Sequence, residues 1–202
     1  MDDPAQPVRY FALQGSDSVD HWITNLSFEP VDFEGGALNV KIHAGIYKAA
    51  EKLLAQLLPM VEEHMARHGA AARLVFTGHS LGGAIASALV MILVHREYVP
   101  REAVDKVYTY GCPAFICESC GCDCKTGECA CAGGNAKLLE RLDLAPSVFN
   151  HLCMHRDIVP RAFACDYTLI QSILCKSDVY REHGCLKGNK EKRYTPSLYR
   201  HV

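Results

Sequence analysis

The sequence predicts an α/β fold, a mostly parallel sheet flanked by helices, on three observations. β-prone runs alternate with helical stretches along the chain. The intervals between successive runs have room for crossover helices, which join parallel strands, where hairpin turns would join antiparallel ones. The string from Val75 to Ala84 delivers an apolar run into Gly-x-Ser-x-Gly and leaves it through small residues, the strand, sharp turn and helix of a nucleophile elbow. With 202 residues, 49% of them apolar, the chain can bury one substantial core and reads as one domain, 1–202.

The elements follow in order. Val8 to Gln14 reads as a strand that ends at Gly15-Ser16-Asp17-Ser18. Ile46, Ala50, Leu53, Leu54, Leu57, Leu58, Val61 and Met65 recur on one face of a long amphipathic helix, with a kink expected at Pro59. Arg73 to Thr77 is the next strand, and an apolar helix leaves the elbow and runs to about Arg96. Lys106 to Gly111 is a third strand, and a short helix is expected near Ala136 to Leu142. Val148 to His155 forms a fourth strand and Tyr167 to Leu174 a last helical piece.

The glycines of the elbow have a steric purpose. A serine held at a tight strand-to-helix turn leaves no space for side chains beside it, so Gly78 and Gly82 keep the turn open around Ser80. The same turn aims the first amides of the following helix at any anion that develops there, where the helix dipole already favours negative charge. Ser80 is therefore the candidate nucleophile. Asp157 follows the fourth strand and lies downstream of Ser80, in the order nucleophile, acid, histidine known for α/β-hydrolases. A carboxylate there would orient an imidazole and stabilise its cation as the serine loses its proton.

Composition excludes other classes. A formal net charge of -2 with scattered Lys and Arg gives no polyanion-binding patch, and the run from Lys187 to Arg193 reads as a solvated loop. The most apolar segment, Leu81 to Val94, is too short for a membrane span and reads as a buried helix. The acidic start Met1-Asp2-Asp3-Pro4 carries no recognisable targeting segment.

The chain holds 11 cysteines, an odd total that argues against a fully paired secreted scaffold. Cys117, Cys120, Cys122, Cys124, Cys129 and Cys131 crowd into an insertion over 117–134. Its thiol density suits zinc or a softer metal, while its small spacers equally suit a tolerated or redox-sensitive loop. The spacing does not match paired C-x2-C zinc modules, and both readings stay open.

Phe11-Ala12-Leu13-Gln14-Gly15-Ser16, Asp20 to Leu26, Lys41 to Ile46, the elbow, Tyr110-Gly111-Cys112-Pro113 and Arg156-Asp157-Ile158-Val159-Pro160 together resemble, in order, the fungal-type class 3 lipases. Met154 to Phe163 and Arg181 to Leu186 are most similar to plant and algal plastid lipases of that class, which release acyl chains from membrane glycerolipids. The resemblance spans Val8 to about Leu186, apart from the cysteine cluster. It implies an α/β-hydrolase fold, expected here to be incomplete at both ends. It assigns Ser80 as nucleophile, Asp157 as triad acid, and the backbone N–H groups of Ser16 and Leu81 as oxyanion donors. Gln14 stands where the family commonly has arginine, a change that leaves the backbone donor in place.

The resemblance places the family's catalytic histidine well beyond the Asp-Ile-Val-Pro block. The leading expectation is that this histidine is absent from the given sequence; within the chain, His201 is the first candidate and His183 the second. The resulting expectation is a serine ester hydrolase acting on glycerolipids (triacylglycerol, phospholipid or galactolipid) at a membrane or lipid-droplet surface, with no cofactor and no nucleic-acid partner. The alternative is a non-catalytic lipase-like module, lipid-binding or redox- or metal-responsive, that lacks a complete triad. The resemblance implies a plastid location; otherwise a cytoplasmic one is expected, and the odd cysteine total and the lack of a recognisable signal segment argue against secretion.

Overall fold

The computed structural model describes residues 1–15, 30–118, 134–155, 157 and 159–162. Strands β1 (Val8–Leu13), β4 (Arg73–His79), β5 (Val104–Tyr110) and β7 (Phe149–Leu152) form one sheet in the order β1-β4-β5-β7, and every pairing in it is parallel. Helix α1 (Ala44–His68) precedes β4, and helix α2 (Leu81–His95) joins β4 to β5. Helix α3 (Gly134–Arg141) precedes β7, and a single turn, α4 (Val159–Ala162), follows it. The predicted α/β class with a helix-flanked parallel sheet is the observed one.

Helix α2 is buried on every side from Gly82 to Leu93 and packs on β4, β5 and α1. Small residues at its start let it approach the sheet, and larger ones from Leu89 onward fill the space behind it. No helix among the described residues is long and apolar enough to cross a membrane. Helix α1 runs through Pro59 as one element. Buried His43 caps its N-terminus, with Nδ1 accepting from the amides of Gly45 at 3.1 Å and Ile46 at 3.4 Å. Burial lowers the His43 pKa, which keeps the ring in the neutral form that can accept.

Three differences from the sequence expectation stand out. The fourth strand is shorter than Val148 to His155, because the turn at Pro146–Val148 precedes it and the chain leaves the ladder after Leu152. His155 consequently sits in an exposed turn instead of on a strand. A second, antiparallel sheet of β2 (Pro30–Asp32), β3 (Val40–His43) and β6 (Ile116–Glu118) was not anticipated, since segments of three or four residues carry too little periodicity to read. Cys117, assigned to the insertion, lies within β6 and pairs in register with Lys41. The helical piece expected over Tyr167 to Leu174 lies outside the described residues.

Candidate active site

Ser80 joins β4 to α2 with φ 52° and ψ -124°, a sparsely populated backbone conformation for a residue with a side chain. Its carbonyl accepts from the amides of Gly83 at 3.0 Å and Ala84 at 3.3 Å, which starts the helix, yet its side chain makes no capping hydrogen bond. The hydroxyl is therefore not committed to the helix terminus.

The steric reason for the glycines is visible atom by atom. A Cβ on Gly78 would stand 2.5 Å from the carbonyl oxygen of Gly82 and 2.6 Å from the amide nitrogen of Gly83. A Cβ on Gly82 would collide with the carbonyl of Leu13 and stand 2.8 Å from the carbonyl carbon of Gln14. Gly15 approaches equally closely, since a Cβ there would lie 2.8 Å from the His79 carbonyl oxygen. The chain leaving β1 is thus pressed against the elbow backbone at two glycines. Ser16, the predicted oxyanion donor next in the chain, lies outside the described residues. Leu81, the other predicted donor, is the first residue of α2, where amides have no partner within the helix and the dipole is positive.

The end of β5 connects the elbow to Asp157. Its Tyr110 carbonyl accepts from the amide of Ser80 at 2.8 Å, and the next residue, Gly111, donates its N–H to the carbonyl of Leu152 on β7 at 2.9 Å. Gly111 has φ +57°, and a Cβ there would overlap Oδ2 of Asp157 and lie 3.7 Å from Nε2 of His79. Asp157 is half-buried; its Oδ1 accepts from the amide of Val159 at 3.0 Å, and its own amide donates to Met154 at 3.0 Å. One carboxylate oxygen is thereby fixed by the local backbone while the other faces the end of β5. Sequence reading noted Tyr110-Gly111 only as part of a motif. The positive φ of Gly111 is a signal that a glycine between a strand and a proline carries in principle.

The family model for class 3 lipases matches residues 10–167. The chain belongs to the class 3 lipase family. Among curated relatives, Phospholipase A1 PLIP1, chloroplastic, from Arabidopsis thaliana is 40% identical over 191 residues, covering 94% of this chain and 27% of that protein. A lipase from Rhizopus niveus is 31% identical over 125 residues, covering 57% of this chain and 31% of that one. The chain thus spans about a quarter to a third of the length of these relatives. The crystal structure of a lipase from Rhizopus microsporus var. chinensis superposes with a TM-score of 0.61 at 25% identity, covering 79% of this chain and 49% of that one. These fungal neighbours are α/β-hydrolases, in agreement with the predicted fold.

Of the residues predicted for a lipase site, Ser80, Leu81 and Asp157 fall within the described structure and gather at the C-terminal ends of β4, β5 and β7. His183 and His201 lie outside it, as do Cys120, Cys122, Cys124, Cys129 and Cys131; Cys117 is set in β6. Among the described residues, no group of three His, Cys, Asp or Glu side chains is placed to hold a metal ion. Of the described histidines near the site, His79 is exposed and His151 lies on β7 against Thr109.

Proposed function

We propose that the chain carries the nucleophile and acid of a serine ester hydrolase that cleaves acyl esters of glycerolipids. The observation that carries this reading is the linkage through β5: Tyr110 holds the amide of Ser80 and adjacent Gly111 receives the carboxylate of Asp157. In the reaction, Ser80 attacks the ester carbonyl while a histidine takes its proton, and Asp157 orients that histidine and stabilises its cation. The amides of Leu81 and Ser16 donate to the tetrahedral oxyanion. The histidine is one outside this sequence or, within it, His201 with His183 as second choice. No metal or diffusible cofactor takes part.

A phospholipid is the favoured substrate, because the Arabidopsis relatives at 40% and 39% identity are both named Phospholipase A1. Their designation as chloroplastic supports a plastid site of action, and a glycerolipid substrate would be met at a membrane or lipid-droplet surface. The test is labelling of the chain by a fluorophosphonate, with Ser80→Ala, His201→Ala and His183→Ala alongside. Labelling lost in Ser80→Ala and in one histidine variant supports the full assignment. A folded chain that takes no label points either to an enzyme whose histidine lies outside this sequence or to a lipase-like lipid-binding module without catalysis. Fatty-acid release from phospholipid vesicles against triacylglycerol emulsion then decides the substrate class.

A further inference from the structure

Resting on that catalytic reading, we infer that Gly111 is a positioning residue: the Tyr110-Gly111 dipeptide sets the separation between nucleophile and acid, and the missing side chain of Gly111 fixes where the Asp157 carboxylate stands. The two residues touch both halves of the site through adjacent peptide groups. Tyr110 receives the amide of Ser80 at 2.8 Å, and Gly111 lies against Oδ2 of Asp157. The amide of Gly111 is itself held by Leu152 at 2.9 Å, on the strand from which the chain continues to Asp157. A peptide group tied at each of these points cannot move toward one partner without moving from another.

The carboxylate must give way on the acid side. Oδ1 of Asp157 accepts from the Val159 amide at 3.0 Å, so turning the carboxylate aside to admit a methyl group at position 111 strains that hydrogen bond and moves the acid from its place. The methyl would also lie 3.7 Å from Nε2 of His79, an ordinary contact that limits escape toward the elbow. Gly111 additionally has φ +57°, which by itself favours glycine. The two requirements can be separated, because Gly69 has φ +55° with nothing within 4 Å of its would-be Cβ. Gly69→Ala therefore reports backbone strain alone, and Gly111→Ala reports strain plus displacement of the carboxylate.

The experiment measures fluorophosphonate labelling kinetics and thermal unfolding for the full chain and for Gly111→Ala, Asp157→Ala, Gly111→Ala/Asp157→Ala and Gly69→Ala. Displacing a catalytic group by about 1 Å costs up to about 100-fold in rate, so Gly111→Ala is expected to slow the maximal labelling rate about 10- to 100-fold with little change in probe binding. Adding Gly111→Ala to Asp157→Ala should slow labelling no further, and the double variant should melt above Gly111→Ala because the collision is gone. Gly69→Ala should label at the parental rate. If Gly111→Ala does not fold while the double variant does, the collision is equally supported. Independent, multiplicative effects of the two substitutions, or a folded Gly111→Ala that labels like the parent, overturn the inference. Unchanged labelling in Asp157→Ala overturns the assignment of the acid itself; an unlabelled parent overturns the placing of the histidine within this chain, and melting then decides the inference, which fails if the double variant melts no higher than Gly111→Ala.

Discussion

Nδ1 of His151 on β7 lies 2.5 Å from the hydroxyl oxygen of Thr109 on β5, a side-chain bridge across neighbouring strands. Thr109 is fully buried, and its Cβ lies 3.0 Å from where a Cβ on Gly83 would stand, so this bridge sits directly beneath the first turn of the elbow helix. Burial lowers the pKa of His151 to about 4. The folded protein therefore holds this ring neutral, whereas the unfolded chain protonates it near the ordinary value of 6.5.

The sign of the resulting pH dependence follows from that depression. The contribution of His151 to stability is fully present above about pH 6.5 and is lost as pH falls toward 4, amounting to at most about 3 kcal/mol. Urea unfolding at pH 7.5 and 4.5 should show the loss, and His151→Asn should reduce it. His43, also depressed by burial, contributes in the same direction, so the difference between parent and variant isolates His151. Equal acid sensitivity in the two proteins would contradict the assignment.

Strain at Ser80 yields an opposed pair of effects. Its φ of 52° suits glycine better than serine, so Ser80→Gly should raise the unfolding free energy by about 1 kcal/mol while removing all labelling by an active-site probe. Ser80→Ala keeps the unfavourable backbone and should lose labelling without that gain. Denaturant midpoints of the two variants check the contrast.

Close backbone approach makes Gly82 intolerant. A Cβ there meets the carbonyls leaving β1, which are main-chain groups that cannot rotate aside. Gly82→Ala should destabilise by about 3 kcal/mol or prevent folding, whereas Gly35→Ala, with positive φ and nothing within 4 Å, should cost about 1 kcal/mol. Soluble yield and thermal midpoint separate the two.

The far end of α2 is anchored by Arg96. Its Nε donates to Oε2 of Glu34 at 2.8 Å and its Nη2 to Oε1 at 2.9 Å, and the hydroxyl of Tyr47 donates to the same carboxylate at 2.9 Å. Burial raises the Glu34 pKa, but the hydrogen bonds from Arg96 and Tyr47 outweigh it and leave a net lowering. Arg96→Met strands a nearly buried carboxylate and should cost about 2 kcal/mol at pH 7. The contribution of Glu34 is present above the unfolded carboxylate value of 4.5 and is lost as pH falls through the folded value, so the gap between parent and variant should narrow in acid. A gap that stays constant from pH 7 to 3 would rule out the ion pair as its source.

What the sequence by itself determined is local. Alternating runs gave strands β1, β4, β5 and β7 and helices α1 and α2, because side-chain period records which face is buried. The elbow was legible because steric exclusion around a tight turn needs glycine at fixed offsets from Ser80, and those offsets are written in adjacent letters. Asp157 came from chain order together with family resemblance. Only the tertiary structure decided the contacts between distant segments: Gly15 and Gly82 pressing β1 onto the elbow, Gly111 beneath the Asp157 carboxylate, Thr109 against His151, and the short antiparallel sheet that pairs β3 with β6. These depend on strand register and on which peptide groups meet once the sheet has closed. No periodicity within a single segment encodes that meeting, because the partner that gives each residue its role lies elsewhere in the chain.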